Sequence, residues 1–143
     1  MKIAIINGPN LNRLGERNPE IYGPETLDDT IENLRKEFSQ LEIYHSQSNC
    51  EGEIINIIQK VNDEPGYLGI VINPGAYAHY SYAIADAITD SKLPVIEVHI
   101  SNIHAREEFR AKSVTGACAK AVICGCGRKG YKLAIDYLLD SNL

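Results

Sequence analysis

Apolar residues along this chain fall into two alternating patterns. Continuous Ile, Val and Leu runs occupy 2–6, 67–72, 94–100 and 121–124, with a shorter, more mixed run at 41–45. Runs without polar alternation are what a parallel sheet covered on both faces requires. Between them, apolar residues recur at helical spacing. Leu27, Ile31, Leu34 and Phe38 stand at i, i+4, i+7 and i+11, behind Thr26 as N-cap with Asp28 and Asp29 in the first turn. Ser48 with Glu51 offers a capping box ahead of Ile54, Ile55, Ile58 and Val61, and Pro65-Gly66 ends that helix. A third helical segment covers about 80–91, and the last, about 131–139, follows a glycine-rich turn.

Five strands alternating with helices imply right-handed crossovers and an α/β fold. In so short a chain this predicts a flavodoxin-like three-layer α/β/α sandwich on a five-stranded parallel sheet of order 2-1-3-4-5. No internal repeat or linker interrupts it, so 1–143 reads as one domain. With 44% hydrophobic and 23% charged residues the chain has an ordinary globular composition. Its net charge of −5, with no Lys/Arg block, argues against nucleic acid or an anionic membrane surface as partner. No apolar run approaches the roughly 18 residues of a membrane span, and the N-terminal apolar stretch is too short for a signal peptide. These features predict a cytoplasmic enzyme or small-ligand binder. The cysteines, Cys50, Cys118, Cys124 and Cys126, lack the paired knuckles of a zinc site and are expected to be reduced and mostly buried.

Ligands of such sheets bind beyond the carboxyl ends of the strands, near the switch in strand order. The first strand runs into Asn7-Gly8-Pro9-Asn10-Leu11-Asn12, and the third into Asn73-Pro74-Gly75-Ala76-Tyr77-Ala78-His79. The fourth carries Glu97 and His99 and leads into Ser101 and Asn102. These strands are neighbours in the predicted order, so their ends share one mouth. Segment 7–25 shows neither helical nor strand pattern, whereas βα loops usually run about 2–6 residues. It contains Arg13, Arg17 and Tyr22 with Gly15 and Gly23-Pro24, and it reads as an active-site lid.

Several motifs lead elsewhere and fail. Gly125-Cys126-Gly127-Arg128-Lys129-Gly130 matches a dinucleotide fingerprint, but the chain ends one helix later, without the acidic residue about 20 positions on. A tight turn into a helix accounts for it better. A phospho-receiver domain needs carboxylates where this chain has Asn7 and Asn73, and an amide cannot accept a phosphoryl group. His79, His99 and His104 leave three readings open: metal ligation, acid–base chemistry, or structural histidine. Glu97 and His99 at i, i+2 share one face of a strand, an arrangement that orients and charges an imidazole for general acid work. Arg106 to Arg110 follow a polar turn whose amides, with an arginine, suit a carboxylate.

Asn7-Gly8-Pro9-Asn10-Leu11-Asn12, Leu14-Gly15, Arg17, Pro19 and Tyr22-Gly23 resemble the N-terminal signature of the type II 3-dehydroquinate dehydratases. So do Gln47-Ser48-Asn49, Asn73-Pro74-Gly75-Ala76-Tyr77 with His79, Glu97 through Arg110, and Val122-Ile123 to Gly130-Tyr131. The resemblance implies a lyase of the shikimate pathway. It would dehydrate 3-dehydroquinate to 3-dehydroshikimate without cofactor, metal or Schiff base, in a dodecamer built as a tetramer of trimers. It also implies Tyr22 as the base, Arg17 as its activator, and Asn12 with a water at the enolate. His99, held by Glu97, would be the general acid. Asn73, His79, Ile100, Ser101 and Arg110 would bind substrate, and Asp86 would reach an adjacent subunit's site.

The chemistry is consistent with those residue types. A tyrosine with an ordinary pKa of ~10 is only about 0.1% ionised at pH 7, and bringing it to neutrality takes about 4 kcal/mol. A guanidinium some ~4 Å away, at an effective dielectric near 20, offers about that much. Two other classes make different predictions. A flavin- or nucleotide-binding module would respond to FMN, and a pure scaffold would be indifferent to changes at Tyr22 and His99.

Overall fold

The computed structural model describes residues 1–141, with Tyr22 described in its backbone only. Five strands, β1 (Lys2–Asn7), β2 (Glu42–Gln47), β3 (Tyr67–Asn73), β4 (Val95–His99) and β5 (Ala121–Cys124), form one all-parallel sheet of order β2-β1-β3-β4-β5. This is the predicted flavodoxin-like arrangement. Helices α1 (Pro19–Tyr22), α2 (Leu27–Glu37), α3 (Glu51–Asp63), α4 (Tyr82–Asp90) and α5 (Lys129–Asp140) complete it.

Strand alternation divides the core in two. Ile3, Ile5, Val71, Ile96 and Val98 pack with Ile31 and Leu34 of α2 and with Tyr131, Ile135 and Leu138 of α5. Ala4, Ile6, Ile70, Ile72 and Val95 pack with Ile54, Ile58 and Val61 of α3 and Ile84 and Ile88 of α4. Each fully buried isoleucine contributes about 1.5–3 kcal/mol relative to exposure. That burial on both faces is why the strands read as unbroken apolar runs.

Local signals decide the element ends. Thr26 caps α2 as expected, and Asp29 completes a capping box by accepting from the Thr26 amide at 3.1 Å. The box expected from Ser48 and Glu51 does not form. Cys50 holds the N-cap position of α3, Ser48 Oγ donates to Glu53 at 2.5 Å, and Glu51 instead accepts from Ser81 at 2.5 Å. Asn7 and Asn73, expected just past their strands, are the last strand residues, because parallel pairing continues through Asn7↔Asn73 and Asn7↔Gln47. Segment 7–25 is not patternless: it holds a 3-10 turn, Leu11–Arg13, and helix α1, both too short to show periodicity.

The cysteines also differ from expectation. Cys50, Cys118 and Cys126 are exposed and Cys124 is half-buried; all four are free thiols. β5 is an edge strand with an incomplete cover, so the apolar run around Cys124 does not place it in the core. The Gly125–Gly130 motif is a turn, with Gly125 at φ +84°, feeding α5. Among the described residues no helix is long and apolar enough to cross a membrane.

Candidate active site

The carboxyl ends of β1, β3 and β4 open onto a cleft enclosing about 640 Å³, solvent mouth included. One wall is built from strand ends and the turns behind them: Asn73, Gly75, Ala76 and His79 after β3, and His99, Ile100, Ser101 and Ile103 at the end of β4. Pro9, Asn10, Leu11, Leu14 and Arg17 come from segment 7–25, while Arg106 and Arg110 close the rim. Leu11 and Leu14 are buried in the α2–α5 core cluster, which anchors the start of that segment.

His99 is buried, and its Nε2–H points 3.0 Å from Glu97 Oε2. The i, i+2 spacing on β4 puts both on one face. Ser113 Oγ donates to the same carboxylate oxygen at 2.6 Å, and the Thr115 hydroxyl donates to the other. Burial would raise the Glu97 carboxyl, but the His99 imidazole and the two hydroxyls outweigh it and hold the group below its usual range. Glu97 is thus a buried carboxylate whose bonds are all made. A Cβ at position 116 would lie 2.6 Å from Glu97 Oε2, so only glycine lets the 113–116 turn close over the carboxylate. With Nε2 committed to Glu97, Nδ1 is the atom through which a charged His99 would release a proton.

His79 lies beside it, the two rings stacked with centroids 6.2 Å apart. His79 Nδ1–H donates to the Lys112 carbonyl at 2.8 Å, which leaves Nε2 as the acceptor of the neutral ring. Asn73 Oδ1 accepts from the Gly75 amide at 3.1 Å, and its Nδ2 donates to the buried Tyr131 hydroxyl at 3.1 Å. Arg106 Nη1 donates to Ser101 Oγ at 3.3 Å, and Arg110 pairs with Glu107. Three arginines around one cleft make it a place for an anion.

Of the residues singled out in the sequence, Arg17, Asn73, His79, His99, Ile100, Ser101 and Arg110 line the cleft together. Glu97 stands behind His99 rather than at the surface of the cleft. Asn12 is exposed on the 3-10 turn and Asp86 is exposed on α4, and neither lines the cleft of this chain. The side chain of Tyr22 lies outside the described residues. His104 is exposed, and no group of three or more His, Cys, Asp and Glu side chains among the described residues could hold a metal ion. Sequence reasoning missed Ser113, Thr115 and the role of Tyr131, while Arg106 entered it only as part of the 106–110 stretch. Its signal was position, just after the polar turn that follows β4.

The family model for dehydroquinase class II matches residues 1–139. A 3-dehydroquinate dehydratase of Helicobacter hepaticus is 55% identical over 143 residues, covering 98% of this chain and 89% of the relative. One from Bacillus licheniformis is 51% identical over 142 residues, covering 98% of this chain and 97% of the relative. The crystal structure of a type II dehydroquinase from Butyrivibrio crossotus superposes with a TM-score of 0.93 at 50% identity, over 97% of each chain. With sequence, fold and cleft in agreement over nearly the whole length, the chain belongs to the class II dehydroquinase family.

Proposed function

We propose that this chain dehydrates 3-dehydroquinate to 3-dehydroshikimate in the shikimate pathway, through an enolate. Tyr22, as phenolate, takes a C2 proton beside the ketone, and Arg17 keeps the phenolate anionic. The electron pair left behind forms the enolate, which Asn12 steadies through a water. His99 Nδ1–H gives its proton to the C1 hydroxyl, which departs as water as the enolate collapses to the C1–C2 double bond. Glu97 holds the imidazolium. Asn73, His79, the backbone at Ile100 and Ser101, and Arg110 receive the substrate's hydroxyls and carboxylate. Closure of the 7–25 lid would exclude water from the enolate.

The observation that carries this reading is the buried Glu97–His99 couple on the wall of a cleft that three arginines also line. A charged imidazole is a strong enough acid to expel hydroxide as water, and the arginines suit a carboxylate substrate. No lysine is among the described lining residues, which supports an enolate route over an imine. The site is read as working without cofactor or metal. Asp86, exposed on α4, is assigned to the cleft of an adjacent subunit in a cytoplasmic dodecamer, a tetramer of trimers.

The test is ultraviolet detection of the conjugated enone after adding 3-dehydroquinate in the presence of EDTA. Wild-type protein should form it, borohydride with substrate should leave activity intact, and Tyr22→Phe should lose about 10²–10⁴-fold in kcat. No enone from the wild type, or undiminished turnover by Tyr22→Phe, would overturn the reading.

A further inference from the structure

A row of hydrogen bonds runs beneath the cleft on the α2–α5 face of the sheet, through side chains outside the proton-transfer machinery. Asn7 of β1 and Asn73 of β3 are paired in register, His45 of β2 stands two residues back, opposite Ile5, and Tyr131 of α5 bonds both asparagines. Each bond has a forced direction. The Gly75 amide can only donate, so the Asn73 atom it meets at 3.1 Å is the carbonyl oxygen. Asn73 Nδ2 therefore donates to Tyr131 Oη at 3.1 Å. The Tyr131 O–H donates in turn to Asn7 Oδ1 at 2.5 Å, and Asn7 Nδ2 donates to His45 Nε2 at 3.1 Å. The row is closed at both ends, by a backbone amide and by an imidazole nitrogen that accepts.

We infer that Tyr131 is a positioning residue, which through Asn7 and His45 locks the Asn73 amide so that its second Nδ2 hydrogen is delivered to the cleft as a donor. Asn73 lines the cleft, and that hydrogen meets no other partner among the described residues. A substrate group opposite it must be an oxygen that accepts. Fixing the amide in advance spares the binding step the cost of orienting it. Burial pushes the Tyr131 phenol above its ordinary value, so it stays a protonated donor and the direction of the row does not reverse in alkali. Tyr131 is wholly buried, and its hydroxyl joins the side chains of Asn7 on β1 and Asn73 on β3. The role assumed for Asn73 rests on the reading under Proposed function.

The experiment is a double-mutant cycle on 3-dehydroquinate turnover with Tyr131→Phe and Asn73→Ala, with melting temperatures recorded alongside. Tyr131→Phe should raise KM about tenfold with kcat within about twofold, since ground state and transition state lose the same contact. In the Asn73→Ala background it should change KM no further. A Tyr131→Phe effect of equal size in both backgrounds, or a lowered melting temperature with unchanged KM, overturns the inference. If Tyr131→Phe does not fold, His45→Leu, at the half-buried end of the row, takes its place with the same two outcomes. A wild type that forms no enone fails the functional reading itself, whereas an active wild type with an additive cycle fails only this inference.

Discussion

The two sides of the cleft are built on different physical terms. On the strand-end side, Asn73, Glu97 and His99 are buried, and each is fixed by side-chain hydrogen bonds. On the other side, segment 7–25 carries exposed Asn12 and Arg17, and its first half is anchored by two buried leucines. Its far end is tied by Arg128, whose Nε lies 3.0 Å from Glu25 and 3.1 Å from Thr30. A buried charge needs its partners in place before substrate arrives, because an unmatched one costs several kcal/mol. A group that must admit substrate and then surround it is better carried on a segment with few buried contacts. Rigid proton donor and adjustable cover are thus divided between strands and loop.

The sharpest way to break that division is at the donor. His99→Ala should lower kcat by about 10³–10⁴-fold with little change in KM, measured by enone formation at neutral pH. Glu97→Gln comes next. The amide keeps the size of the side chain but cannot stabilise an imidazolium, so kcat should fall about 10²–10³-fold. The Glu97 carboxyl is held low, so in the wild type it should stay ionised behind His99 down to acid pH, a carboxylate that the variant lacks. On the loop, Arg17→Ala should cost about 10²-fold, mainly in kcat. Wild-type turnover in Arg17→Ala would mean the loop only covers the cleft, and the proposed activation of Tyr22 would be wrong.

Much of the strand-end side was legible in the sequence, because strands advertise themselves. Unbroken Ile/Val runs placed Asn7, Asn73 and His99 at adjacent strand ends, and the period of two put Glu97 and His99 on one face. Ser113 and Thr115 gave no such signal. They lie in an irregular turn, and only the return of the chain over β4 brings them to Glu97. Tyr131 reads as an ordinary core aromatic of an amphipathic helix, and its hydroxyl acquires meaning only from the asparagines beneath it. On the loop, length alone marked a functional segment, and α1 was invisible since four residues cannot show a period. Asn12 and Asp86 came from family resemblance, and a single chain does not bring either to the cleft.

A smaller effect tests the tie at the end of the loop. Arg128→Gln removes the charge partner of Glu25 while leaving a polar side chain beside Thr30. The pair is partly buried, so its loss should exceed that of a surface salt bridge, which is worth about 0–1 kcal/mol. KM should rise about threefold with kcat nearly unchanged, and limited proteolysis should cut within 16–23 sooner than in the wild type. A change in kcat as large as that of Arg17→Ala would show that Arg128 shapes the chemistry and does not merely tether the cover.

The smallest effect expected lies beneath the strand-end side, at His45. Burial and the nearby Arg35 charge, opposed by Asp28, lower its pKa below the ordinary value of 6.5. The neutral ring is also what the row requires, because Nε2 must accept from Asn7. As pH falls below about 6.5, the unfolded chain takes up this proton before the folded one does, so stability declines with decreasing pH. Above neutrality the group contributes no slope. Glu97 acts in a separate window: its stabilisation is present above its ordinary value of about 4.5 and is lost only as pH falls from there toward its lowered folded pKa. Melting temperatures between pH 7.5 and 5 should therefore decline in the wild type and decline less steeply in His45→Gln, whose amide oxygen accepts from Asn7 without titrating. Arg17→Ala should retain the wild-type slope, since the row runs through Asn73, Tyr131, Asn7 and His45. Equal slopes in His45→Gln and the wild type would assign the decline to other groups and remove the titrating end from the row.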